Sequence, residues 1–547
     1  MRVQILRAFF IGAGSMKIRA ALAAVLMLGA ALSLTACQND RQDAMSAQMM
    51  PPPPPPPPPA PAMAAAPNGY WQPANTSKFP QAKPNAVKIV AEEPVSTFSI
   101  DVDTASYGVM RNYLNRGDMP PADAIRVEEM VNYFDYAYSA PQSRAVPFRA
   151  SQAVYPAPWN AQTQILHIGI KGFELPKAAR PPVNLVFLID TSGSMGEPNK
   201  LPLLKRAFRL LADQLGGKDR VAIVTYSGTV GVALEPTSGA DKAKIVAALD
   251  KLEASGATAG GQGLRTAYEL AEAGLMKGGV NRVIMATDGD FNVGITDPSQ
   301  LESYVVGERD KGVELSCIGF GSDNYSDALM QKLSQSGNGN AYFIDSYNEA
   351  RKVFSQQITG TLVTIAKDVK IQVEFNPDRI AEYRLIGYET RLLNRTDFNN
   401  DKVDAGDIGA GHTVTALYEL TPVDSKARMS DPLRYAHKAK AKGGAKNEIA
   451  FIKIRYKLPG ETKSHLITRP VTDANVVSGF GRLPDDMRFA AAVAGAGQLM
   501  RHDPYIKDFS YAKAIEIAQA SKGVDTYGYR SEFVQLLRSA QAGSGME

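Results

Sequence analysis

Val183-Asn184-Leu185-Val186-Phe187-Leu188-Ile189, followed at once by Asp190-Thr191-Ser192-Gly193-Ser194, is the stretch that decides the fold. Apolar residues fill it without alternation, which predicts a strand buried on both faces and hence a parallel sheet covered by helices. Working outward, the pattern switches repeatedly between short apolar runs and 3.6-residue periodicity. Helix 200–215, strand 221–226, helices 240–253 and 263–275, strand 282–286 and helix 299–311 come first. Strand 313–320, helix 327–334, strand 341–344 and helix 350–358 complete the alternation. That order predicts a doubly wound α/β domain over residues 181–362.

In open α/β sheets ligands bind beyond the carboxyl ends of the strands, at the switch point. The Asp190 turn stands there. Ser192 and Ser194 can present hydroxyls from one loop, while Asp190 supplies negative charge. The string D-x-S-x-S arises by chance in roughly one chain in eight of this length, so its position carries the argument rather than its letters. Two further loops are expected at the same point. Gly256–Gly261 offers the Thr258 hydroxyl, and the strand at 283–286 ends in Thr287-Asp288. Three hydroxyls and two carboxylates make a hard, all-oxygen set. Such a set favours Mg²⁺, with Mn²⁺ and Ca²⁺ next, over zinc.

These residues resemble the metal-ion-dependent adhesion site of von Willebrand factor A (VWA) domains, a D-x-S-x-S string with a later Thr and Asp. The resemblance implies ligation by Ser192, Ser194 and Thr258, with Asp190 and Asp288 acting through bound water. It also implies an open position for a partner's Asp or Glu. Phe98–Tyr107, Ala286–Gly294 and Tyr383–Glu389 further resemble the YfbK-like family of bacterial VWA lipoproteins, over nearly the whole chain from Pro94. That family adds architecture more than activity.

On either side the period returns to two. Leu166, Ile168 and Ile170 alternate with polar or small residues, as do Val369, Ile371, Val373 and Phe375, and again Ile452, Ile454 and Tyr456. Half-buried antiparallel strands are predicted. Residues 94–180 and 363–547 are therefore expected to form a β-sandwich into which the α/β domain is inserted, with helices, including 485–500, closing the chain.

The first 37 residues carry a processing signal. Met16-Lys17-Ile18-Arg19 starts a basic patch, an apolar run follows to Leu34, and Leu34-Thr35-Ala36-Cys37 resembles a lipobox. The run suits a secretory signal better than a membrane span, and the signal is expected to begin at Met16. Lipidation of Cys37 is expected, with Gln38 after it favouring the outer membrane over the inner. Residues 38–93 read as a linker in which Pro51–Pro59 form a stiff polyproline stalk of about 3.1 Å per residue.

Lys and Arg number 60 against 56 Asp and Glu, too balanced for a nucleic-acid-binding protein. Two cysteines, Cys37 and Cys317, cannot make a disulfide framework, and Cys317 reads as core. No P-loop, G-x-G-x-x-G or G-x-S-x-G string occurs, so nucleotide binding and serine hydrolysis have no support. Ser192 or Ser194 as a nucleophile would need a nearby base, and of the five histidines none falls in the α/β segment. Asp101-Val102-Asp103-Thr104-Ala105 resembles a phosphatase nucleophile loop, but Ala105 stands where Thr or Val is required. A helix cap through Asp103 or Thr104 is the plainer expectation. Asp397–Asp401 starts like a calcium loop, yet Lys402 stands where that loop needs glycine, so an acidic turn is expected. The reading is thus a non-enzymatic, envelope-anchored, metal-dependent protein-binding module. A scaffold with a structural metal is the second choice, and a phosphatase using Asp101 and Asp103 the third.

Overall fold

The computed structural model describes residues 77 to 545 apart from 82, 144, 257–260, 290–296, 322–325, 432–445 and 507. The chain divides into Met1–Trp71 and Gln72–Glu547, and the described residues lie in the second unit. Four strands precede the α/β domain: β1 (Lys88–Ile89), β2 (Val95–Ser99), β3 (Phe148–Ala157) and β4 (Asn160–Gly172). Six belong to it: β5 (Val183–Asp190), β6 (Arg220–Tyr226), β7 (Val230–Ser238), β8 (Val280–Thr287), β9 (Glu314–Phe320) and β10 (Ala341–Ile344). Six follow: β11 (Thr364–Phe375), β12 (Ile380–Ile386), β13 (Gly406–Gly409), β14 (Thr413–Pro422), β15 (Glu448–Lys457) and β16 (His465–Thr472).

The central sheet has the order β10-β9-β8-β5-β6-β7, parallel except for β7, which pairs antiparallel with β6 at the edge. This is the doubly wound arrangement expected, with β5 at the switch point between β8 and β6. Every residue of β5 is buried, because helices cover both faces of the sheet. Strand β7 was not expected. Its residues are mostly exposed, so its sequence carries no burial pattern to read.

The flanks pair with each other across the inserted domain. One sheet runs β1-β12-β14-β4-β3, and the other runs β13-β11-β15-β16 with β2 on β11, so both mix strands from before and after the insertion. Ile168, Ile170, Val414 and Ala416 from the first sheet meet Ile371, Val373, Ile452 and Ile454 from the second in one core. The sandwich expected from alternation is present. The outer face of the first sheet carries a helical layer. Helices Ala105–Asn115, Val127–Asn132, Asp485–Met500, Tyr511–Ala520 and Tyr529–Gly543 pack Tyr107, Met130, Phe489, Val493 and Phe533 against Tyr155 and Ile165 of the strands. Helix Asp485–Met500 holds the bounds expected of it, whereas the stretch expected as helix 350–358 is Tyr347–Arg351 followed by a π-turn over Lys352–Gln356. Among the described residues no helix is long and apolar enough to cross a membrane.

Helix Ala105–Asn115 links the two halves. It lies so close to the β10 edge that a Cβ on Gly108 would come 2.7 Å from the Phe343 carbonyl oxygen. Any larger residue there would push the helix off the sheet.

His167 of β4 is fully buried, with the Tyr138 hydroxyl 2.6 Å from Nε2 and the Tyr155 hydroxyl 3.1 Å from Nδ1. Burial lowers its pKa to about 3. The unfolded chain therefore binds this proton more readily. The stabilising effect is present above pH 6.5 and is lost as pH falls towards 3. At pH 4.5 the loss expected from this group alone is about 2.5 kcal/mol. Urea denaturation at pH 7 and 4.5 is expected to show a pH-dependent loss smaller by about that amount in His167→Gln. An unchanged difference would contradict the assignment.

Candidate metal centre

Strands β5 and β8 run parallel with Ile189 level with Ala286, so Asp190 and Thr287 end together and Asp288 lies one residue beyond. Asp190 is fully buried. Its Oδ1 accepts a hydrogen bond from the Ser192 backbone N–H at 2.9 Å, and its Oδ2 accepts one from the Thr287 hydroxyl at 3.2 Å. The first bond bends the chain into a tight turn that continues as one turn of 3-10 helix, Gly193–Gly196. The Ser192 and Ser194 hydroxyl oxygens consequently lie 3.1 Å apart.

The loop before Thr258 is tied to the same turn. Gly193 N–H donates to the Gly256 carbonyl at 3.0 Å, and Ser255 N–H to the Thr191 carbonyl at 2.8 Å. Thr258 itself lies outside the described residues, as do Cys37 and Asp290. Asp190, Ser192, Ser194 and Asp288 are thus brought together at the carboxyl end of the central strands.

Burial raises the Asp190 carboxyl above its ordinary range, and the Asp288 charge pushes the same way. Asp288 is 2% exposed, and its Oδ2 accepts from the Lys200 ammonium at 3.1 Å. That ammonium also donates to the Ser194 carbonyl at 3.1 Å. Asp288 Oδ1 is buried and accepts no hydrogen bond from any described residue. Such an atom costs about 1–3 kcal/mol unless something else meets it. Two buried carboxylates, two adjoining hydroxyls and one unsatisfied oxygen suit a hard divalent cation. The donor set fits the ion expected of it.

Lys200 was missed among the candidate site residues. It precedes helix Leu201–Gln214, whose Pro202 and amphipathic pattern make it look like a surface cation at a helix start. Its inward position comes from Asp288 and Gly321, both distant in sequence.

A second acidic group lies elsewhere. One carboxylate oxygen each of Asp101, Asp103 and Glu129 fall within 4.8 Å of one another, all buried. Arg391 pairs with Asp101 at 2.9 Å and Asp103 at 3.0 Å, and Arg126 pairs with Glu129 and Asp327. Burial raises the carboxyls of Asp101 and Asp103, while Arg391 pulls them down. The expected cap at Asp103 or Thr104 is replaced by a tertiary bond. Neither side chain caps the helix, and Glu129 Oε2 instead accepts from Ser106 N–H at 2.8 Å. Asp103 Oδ1 accepts from Ala341 N–H on the β10 edge at 3.0 Å. Asp103 thus ties the flank to the inserted domain, and Asp101 holds Arg391 beside it. The Asp397 turn is likewise structural, closed by a capping box with Asn394.

The family described as "Uncharacterized protein YfbK, C-terminal" matches residues 360–542, and "von Willebrand factor type A domain" matches 184–356. A third, described as "von Willebrand factor", matches residues 73–167. Uncharacterized protein YfbK of Escherichia coli is 47% identical over 473 residues, covering 85% of this chain and 81% of the relative. A UPF0353 protein of Mycolicibacterium vanbaalenii is 27% identical over 196 residues, covering 31% of this chain and 58% of its own. A solved structure titled von Willebrand factor type A from Catenulispora acidiphila has 16% identity and a TM-score of 0.42, covering 74% of this chain and 91% of its own.

Proposed function

The chain belongs to the YfbK family and carries a VWA domain within it, and from that premise we propose that it is a metal-dependent protein-binding module of the cell envelope, not an enzyme. The observation that carries the reading is the convergence of Asp190, Ser192, Ser194 and Asp288, with one buried Asp288 oxygen that no described residue meets. Ser192 and Ser194 would hold Mg²⁺ through their hydroxyls, Asp190 and Asp288 through their carboxylates or bound water, and Thr258 would complete the set. A bound ion supplies a fixed positive point with a coordination position for an exposed Asp or Glu of a partner. The Asp190 turn helps by holding both hydroxyls at one place before any ion arrives. No histidine lies in the VWA segment, so neither serine has an imidazole partner within that segment. Cys37 is the proposed lipid anchor, with the proline tract as spacer and the outer membrane as the favoured site.

Mn²⁺ titration of the full chain tests the site. The Asp190→Ala/Ser192→Ala variant is expected to bind about 100-fold more weakly or not at all. Equal binding by both chains would end the proposal. Crosslinking on intact cells with and without chelator then tests the partner. A protein captured only with metal, and lost with the variant, is expected. One captured equally by both chains argues against carboxylate recognition.

A scaffold whose metal is purely structural draws support from Lys200, which already meets one Asp288 oxygen from within. On that reading metal raises the melting temperature while chelation releases no partner.

A further inference from the structure

We propose that Lys200 is a built-in counter-cation that holds Asp288 in the metal-free chain, competes with a divalent ion for that carboxylate and so sets the metal affinity of the site. The inference rests on the metal-binding reading of Asp190, Ser192, Ser194 and Asp288.

Three features place this lysine by construction. Its side chain and that of Asp288 are 6% and 1% exposed, so the pair is shielded from solvent screening. Its ammonium bridges Asp288 Oδ2 and the Ser194 carbonyl, each at 3.1 Å, which sets it between the two loops that supply the candidate ligands. Its stem lies against Gly321, at φ +90°, just beyond β9. A Cβ there would come 2.6 Å from Lys200 Cε, so the glycine leaves the room the stem occupies. A second carboxylate near the ammonium, that of Glu197, is 3.8 Å away and 57% exposed, too hydrated to compete with Asp288.

Charge decides the consequence. Asp190 and Asp288 carry two negative charges between them, and Lys200 cancels one. A divalent ion entering the site must either take Asp288 from the ammonium or lie a few ångströms from it. Both weaken metal binding relative to a neutral residue at position 200. With the ion bound and Lys200 retained, these groups sum to one net positive charge. That residual charge favours an anionic partner and disfavours a neutral or cationic one. Without metal the lysine leaves only Asp190 unneutralised, so the loops stay in place while the site waits.

The test uses the full chain with Mn²⁺ alone as probe, followed by calorimetry and by thermal melting. Lys200→Met is expected to bind Mn²⁺ at least about tenfold more tightly than wild type. It is also expected to melt lower without metal and to gain more on metal addition. Lys200→Gln keeps a donor for the Ser194 carbonyl and is expected to change in the same direction, which covers a methionine variant that fails to fold. Lys200→Arg keeps the charge and is expected to stay within about threefold of wild type. Equal or weaker Mn²⁺ binding by both neutral variants overturns the proposal. Should the Asp190→Ala/Ser192→Ala control bind as well as wild type, the metal site itself is elsewhere. That outcome removes both readings together and is told apart by the control alone.

Discussion

Arg111→Met is expected to lower the stability of the chain by about 3–5 kcal/mol, because it strips from three carboxylates the guanidinium that pairs with them directly. Arg111 lies on helix Ala105–Asn115 and is 1% exposed. Its Nη2 donates to Asp345 at 2.5 Å and Glu349 at 2.8 Å, its Nη1 to Glu532 at 3.1 Å and the Tyr133 hydroxyl at 3.0 Å, and its Nε again to Asp345 at 2.8 Å. Asp345 and Glu349 follow β10, where the chain leaves the VWA domain, whereas Glu532 sits on the last helix. One guanidinium thus fastens three segments distant in sequence. Lys352 lends a second cation nearby, donating to the Tyr133 carbonyl, but burial lowers its pKa to about 8, so it cannot stand in fully for an arginine. Chemical denaturation of the variant measures the loss. Adding Asp345→Asn and Glu349→Gln should recover part of it, since neutral amides no longer need the guanidinium. A loss under about 1 kcal/mol would mean that solvent reaches the cluster.

The parts legible in the sequence were those with local causes. The all-apolar run of β5 reports burial on both faces, and the even-numbered alternation of Leu166, Ile168 and Ile170 reports a strand with one core face. Neither depends on what it packs against. The candidate ligands were readable for the same reason: a switch-point strand must end in a loop, and Asp190, Ser192 and Ser194 lie in that loop. Asp288 follows from the register of β8 on β5. What was not legible depended on long-range partners. Lys200 turns inward only because Asp288, 88 residues later, waits for it. Asp101 and Asp103 carry the pattern of a local cap, yet their partner is Arg391, which no spacing rule connects to them. Edge strand β7 failed for another reason, since an exposed strand has no face to advertise.

Arg126→Met carries the other large expected effect, and it decides what the second acidic cluster is for. Arg126 is buried and forked. Its Nε pairs with Glu129, while Nη1 and Nη2 donate to Asp327 at 2.6 and 3.1 Å. Glu129 in turn accepts from Gln331 at 2.6 Å and caps the helix that begins at Ala105. Asp327 opens helix Asp327–Ser336 of the VWA domain, so this fork bolts the inserted domain to its flank much as Arg111 does. Removing it takes the guanidinium from Asp327 and leaves Glu129 buried beside Asp101 and Asp103, which Arg391 still pairs. The expected loss is about 3–5 kcal/mol. Arg126→Lys keeps the charge but loses the two-pronged geometry, and should fall between the variant and wild type. Were this cluster a cation site instead, the Arg126→Met chain would gain a divalent-ion affinity that survives Asp190→Ala/Ser192→Ala. The arginines argue against that outcome. Two guanidiniums already face these four carboxylates at hydrogen-bond distance, and bidentate pairing satisfies the oxygens a metal would need. The triple variant is therefore expected to be less stable, to bind no Mn²⁺ and to be insensitive to chelator, and metal-dependent recovery of its stability would reverse the assignment.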